Sequence, residues 1–137
     1  MGVQENPELF DFETTEAVAE FGDSQHPNLQ IIAEYNAEVY NDLFVADGVV
    51  DEVGGREAYD RQREKVESFL RLDLLDRDAY QDIVPRAGSA ELFVTRAESV
   101  YLVRAFRNGD GLFVSTRRNG LVDDMIDVVC GLVDGGE

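Results

Sequence analysis

Between residues 90 and 116 three short apolar segments follow one another with almost nothing between them, and no other stretch limits the possible folds as much. Ala90 to Thr95, Ser99 to Arg107 and Gly111 to Thr116 are rich in Val, Leu, Phe and Tyr. Arg96-Ala97-Glu98 separates the first two segments and Asn108-Gly109-Asp110 the second two. An Asn-Gly pair between apolar runs is a strong hairpin signal, because the tight turn needs residues that tolerate positive φ. Connectors this short favour neighbouring antiparallel strands.

An earlier pair of extended segments can join the same sheet. Leu29, Ile31, Ala33 and Tyr35 share one parity, Asn36-Ala37-Glu38 forms a polar turn, and Val39, Asn41, Leu43 and Val45 alternate with Tyr40, Asp42 and Phe44. Neither face of the second segment is fully polar, as expected of a strand covered on both sides. We read a hairpin here. The competing reading is a helix over residues 29 to 40, since Gln30, Ala33, Glu34, Ala37 and Glu38 all tolerate helix.

Three helical patterns surround these strands. Pro7 suits the first turn of a helix within residues 7 to 21, with Leu9, Phe10, Ala17, Val18 and Phe21 at imperfect helical spacing. Gly22-Asp23-Ser24 stops it, and a loop runs through His26-Pro27. Arg56 to Arg71 is the clearest helix, setting Tyr59, Val66, Phe69 and Leu70 against Asp60, Arg61, Glu64 and Glu67. Leu72-Asp73-Leu74-Leu75 breaks that register, so the element is predicted to be bent or in two parts and to end before Pro85. The last helix runs from Leu121 to Val133 with paired apolar residues, the pattern of a core element. The predicted fold class is therefore α+β, a five-stranded antiparallel sheet with flanking helices in the order α-ββ-α-βββ-α. Residues 1–137 are read as a single domain, with 1–6 and 134–137 as disordered ends.

Charge restricts where such a domain can work. The chain has 29 Asp and Glu against 12 Lys and Arg, a formal net charge of −17, and Lys65 is its only lysine. Self-repulsion on that scale opposes compaction unless salt shortens the range of the interaction, to about 3 Å at 1 M. Carboxylates that hold water, and Arg in place of the more strongly hydrated Lys, suit a high-salt cytoplasm. Residues 1–55 hold 13 of the acidic residues and no Lys or Arg. A one-sided field of this kind can also attract a basic partner, although a solvated, salt-adapted face is the favoured reading.

Several classes of function are disfavoured. Nucleic-acid binding needs clustered cations, and none cluster beyond Arg117 and Arg118. No apolar run approaches a membrane span, and Met1 to Glu5 lacks the basic start of a signal peptide, so the expected location is cytoplasmic with no membrane partner. Cys130, the single cysteine, sits in an apolar run and reads as a small core residue. His26, the single histidine, has no companion ligands and reads as a loop residue. Gly54-Gly55 lacks the Lys-Ser/Thr that a phosphate loop requires. The pairs Asp123/Asp127 and Asp78/Asp82 have helical spacing, but among so many carboxylates they read as solvated faces. No catalytic residue, metal ligand or cofactor is therefore expected. The one constellation worth testing as an anion or partner contact is Arg104, Arg107, Arg117 and Arg118, placed by the sequence near one end of the three-strand region.

Gly22-Asp23-Ser24, Ile31-Ile32-Ala33-Glu34-Tyr35, Tyr40-Asn41-Asp42-Leu43-Phe44-Val45 and Val103-Arg104-Ala105-Phe106 together resemble a group of small acidic haloarchaeal proteins of unassigned function, over about residues 15 to 118. Those motifs are structural and supply no catalytic residues. In topology the element order resembles the roadblock/LC7 and profilin-like group. That resemblance implies a dimeric adaptor that binds small GTPases or scaffolds signalling and motility complexes. The expected function is a non-enzymatic regulatory or adaptor domain working through protein contacts, as a homodimer formed by a sheet edge or an apolar helix face. The alternative is a small-molecule sensing module with a pocket between helix and sheet. An enzyme ranks below both, for want of a nucleophile and base.

Overall fold

The computed structural model describes residues 3–21, 28–84, 86, 88–117 and 122–135. Its elements are β1 (Val3–Gln4), α1 (Thr14–Phe21), β2 (Leu29–Tyr35), β3 (Tyr40–Val45), α2 (Asp47–Glu52), α3 (Arg56–Ile83), β4 (Leu92–Arg96), β5 (Val100–Arg107), β6 (Asp110–Arg117) and α4 (Val122–Val133). The fold is α+β, built on one antiparallel sheet in the order β1-β3-β2-β6-β5-β4.

The meander β4-β5-β6 forms where the apolar runs and turn residues place it. Asn108 (φ 54) and Gly109 (φ 87) make the turn between Arg107 and Asp110, which face each other across the ladder. The first hairpin forms as well, and the helical reading of residues 29 to 40 is excluded. Asn36 directs its turn by accepting the backbone N–H groups of Glu38 and Val39 on its side-chain oxygen, the local competition that makes Asn a turn former.

Other expectations need correction. The sheet has six strands rather than five, because Val3–Gln4 pairs with Phe44 and Val45, and two residues are too few to carry a periodic signal. α2 was not anticipated, and α1 starts at Thr14 rather than near Pro7. The N-terminal segment is held by polar groups instead. Glu34, fully buried, accepts N–H bonds from Glu8 and Leu9 and from the Asn41 side chain, and Thr14 bonds Glu5 and Asn6.

The central element is one 28-residue helix, not two parts, and is uninterrupted at Leu72. Leu70 and Leu74 pack toward the sheet and Asp73 is buried, while Leu72 and Leu75 are exposed. The broken register therefore reflects apolar residues on the outer face and an acid on the inner one. The backbone remains helical throughout.

Two apolar layers sandwich the sheet. On one side α1 and α4 contribute Ala17, Phe21, Val129 and Leu132 to a core with Ile32, Leu43, Val103 and Val114. On the other, α3 places Leu70, Val66 and Leu74 against Ala33, Tyr35, Phe106 and Phe113. Strand alternation divides each strand between the two layers. Gly111 is fixed by this packing, since a Cβ there would lie 2.6 Å from Cζ of the buried Tyr35 ring. Cys130 is half-buried beside the first core and not fully enclosed.

Candidate functional site

The two layers differ in chemistry, and the α3 side holds two clusters of buried polar groups. Arg104 on β5 and Asp73 on α3 form an ion pair, with Nε donating to Oδ2 at 2.8 Å and both side chains 7% exposed. Arg104 Nη1 also donates to Thr95 Oγ1 and to the Leu102 carbonyl. Tyr35 donates its hydroxyl to the same Asp73 oxygen at 3.4 Å. Burial, with the nearby Asp73 carboxylate, pushes the Tyr35 phenol well above its ordinary range, so it stays a donor. The guanidinium is flanked by the rings of Phe69 and Phe93, at 5.8 and 5.6 Å, in the geometry of a cation–π contact.

The second cluster lies under the start of α3. Asp42 accepts a hydrogen bond from the Tyr59 hydroxyl at 2.9 Å and faces Arg63 at 3.8 Å. Burial raises the Asp42 carboxyl above the usual carboxylate range, against the opposing pull of Tyr59, Arg63 and Tyr40. Asp42 Oδ1, Arg63 Nε and Asp60 Oδ1 are buried without a hydrogen-bond partner. Burial also raises Tyr40 and Tyr59.

Above the first cluster, the C-terminal half of α3 and strands β4 and β5 border a cleft of about 430 Å³, whose lining includes Asp73, Asp76, Tyr80, Ile83, Phe93 and Arg104. Tyr80 of α3 contacts Phe93 of β4, with ring centroids 6.1 Å apart. The outer face of α3 beside this cleft exposes Phe69, Leu72, Leu75 and Ile83, and Val94 is exposed on β4.

Of the four arginines singled out from sequence, the three among the described residues do not gather. Arg104 is buried in its ion pair. Arg107 is exposed at the β5–β6 turn and donates to the Val133 carbonyl. Arg117 lies at the opposite end of β6 and pairs with Glu52 at 2.6 Å. Arg118 and His26 lie outside the described residues. Asp78 and Asp82 are both exposed, as is Asp127, while the Asp123 side chain lies outside those described. Among the described residues no group of three or more His, Cys, Asp or Glu is arranged to hold a metal ion, and no helix is long and apolar enough to cross a membrane.

Sequence reasoning missed Asp42 and Asp73. A signal was available, since each is an acid at a position whose strand or helix parity points to the interior. No family model, no curated protein and no solved structure matches this chain.

Proposed function

We propose that the protein is a non-enzymatic regulatory or adaptor domain of a high-salt cytoplasm, acting through protein contacts and assembling as a homodimer. The observation that carries this reading is the outer face of α3. Leu72, Leu75 and Ile83 are 57%, 70% and 74% exposed on one helix, with Phe69 of the same helix 43% exposed. Grouped exposure of large aliphatic side chains is the mark of a contact surface.

Charge favours a second copy as the occupant. Residues 56–83 hold 6 of the chain's 12 basic residues and eight acidic ones, close to balance, whereas residues 1–55 carry 13 acidic residues and no basic one. Two molecules of charge −17 approach at less cost through α3 than through the N-terminal region. The open edge of β4 adjoins the same face.

Light scattering in about 2 M KCl, where charge repulsion is screened, tests this directly. The expected mass is twice the 15.3 kDa of the chain, and the Leu72→Gln/Leu75→Gln variant should run at the single-chain mass with its circular dichroism intact. A wild-type protein that stays monomeric up to about 0.1 mM, a concentration at which a specific dimer is populated, refutes the homodimer. Retention of the same thermal midpoint from about 2 M down to about 0.1 M KCl refutes salt adaptation.

A further inference from the structure

We infer that two copies of the chain join edge to edge through β4, in an antiparallel register centred on Val94, so that their sheets become one. This join presupposes the homodimer proposed above and names the surface that forms it. β4 ends the sheet, with β5 on its one side. In an antiparallel ladder, hydrogen-bonded pairs alternate with pairs whose N–H and C=O groups point away from each other. The bonds from Ala97 N–H to the Val100 carbonyl and from Phe106 N–H to the Glu91 carbonyl lie at the two ends of the β4–β5 ladder and set its phase. Phe93 and Thr95 therefore bond to β5, while Leu92, Val94 and Arg96 turn both backbone groups outward. Among the described residues, those three form no backbone–backbone bond outside the ladder.

Edges of folded sheets are ordinarily blunted by proline, a bulge or central charges. β4 reads Leu92-Phe93-Val94-Thr95-Arg96, pairs with β5 without a register shift, exposes Val94 at its centre and keeps its one charge at its end. A second copy fits this edge because the strand is complementary to itself. With Val94 opposite the partner's Val94, Leu92 meets the partner's Arg96 and Arg96 meets the partner's Leu92, so every outward N–H and C=O of the three residues finds a mate. The two arginines then stand about 13 Å or more apart. Other registers lose bonds or oppose charges. Centring on Arg96 sets like charges face to face. Centring on Leu92 or Phe93 calls on Ala90, whose N–H and carbonyl are already bound to Arg77 of α3, and centring on Thr95 leaves Leu92 facing Glu98, beyond the end of the strand. β4 also carries no carboxylate, so two chains of charge −17 meet there without opposing acids. The two-fold axis stands perpendicular to the sheet, which puts both α3 helices on the same face of the combined sheet.

Val94→Pro removes an outward N–H that the single chain does not use, a change that an edge strand tolerates. In about 2 M KCl it should raise the dissociation constant of the dimer about tenfold or more, read by light scattering. In a Cys130→Ala background, Val94→Cys should cross-link to its own copy under mild oxidation. Facing Cα atoms in this register lie about 5.5 Å apart, inside the range of about 4.4–6.8 Å for a disulfide. Arg96→Cys in the same background should stay uncross-linked. A wild-type chain that is monomeric overturns this join together with the homodimer. A wild-type dimer that persists undiminished in folded Val94→Pro, that yields no Val94→Cys cross-link, or that cross-links as readily through Arg96→Cys overturns the β4 register and leaves the homodimer standing on the α3 face. If Val94→Pro loses its circular dichroism, the two cysteine variants decide the matter.

Discussion

Replacing Asp73 by Leu strands the Arg104 guanidinium inside the layer between α3 and the sheet, and the surroundings set the size of the loss. Both partners are 7% exposed, so water screens little of the effect. Breaking a buried pair by removing one member costs about 3–5 kcal/mol, because the charge left behind keeps its desolvation penalty. Tyr35 loses its acceptor in the same step. For a chain of this length each kcal/mol lowers the thermal midpoint by roughly 3.5 °C, so the expected drop is about 10–17 °C. The double variant Asp73→Leu/Arg104→Met removes the second charge as well, and should return to within about 1 kcal/mol of the parent. Urea and thermal unfolding in high KCl, read by circular dichroism across the four members of the cycle, measure the coupling. A single-variant loss below about 1 kcal/mol, or a double variant as unstable as the two losses combined, refutes the account of the pair as a desolvated unit.

Asp42 predicts a pH dependence of defined sign. Its folded carboxyl is raised by burial, so the site costs nothing while the group is protonated in both states, and stability is lost as pH rises through the raised folded value. Asp42→Asn should therefore gain on the parent between pH of about 4 and about 7 in urea midpoints, and a gain that shrinks over that interval contradicts the assignment. Gly111→Ala forces a methyl group into the Tyr35 ring and should cost about 1–3 kcal/mol. A Tyr35→Leu background should absorb part of that cost in thermal melts, and equal losses in the two backgrounds rule out the ring as the cause.

The meander was legible because three signals agreed there: alternating apolar residues, short connectors and Asn108-Gly109 in a turn that needs positive φ at both positions. The β2–β3 hairpin was legible for similar reasons, with Asn36 marking its turn. β1 was not, since a two-residue strand exists only through its partner β3. The misreading of α3 is the most instructive. An amphipathic pattern assumes that apolar residues turn inward and acids outward, and Leu72, Asp73 and Leu75 reverse the assignment on one turn. Asp73 turns inward because a cation 31 residues later waits for it, a pairing that local periodicity cannot express. The same limit hid the candidate site. Arg104 was singled out with three other arginines as an anion or partner contact, and the sequence held no sign that it would be buried in an ion pair with Asp73.

The two edges of the sheet are unlike, and that asymmetry decides what kind of assembly can grow from it. β4 ends one side and the two-residue β1 ends the other, laid over β3 by the segment anchored at Glu34. A sheet open at both edges can add copies without limit and build a fibre. Here, pairing through β4 uses the one long edge of each molecule and leaves β1 facing outward on both sides. A homodimer joined in this way would close at two copies, and filament growth would first require the N-terminal segment to be pulled from Glu34.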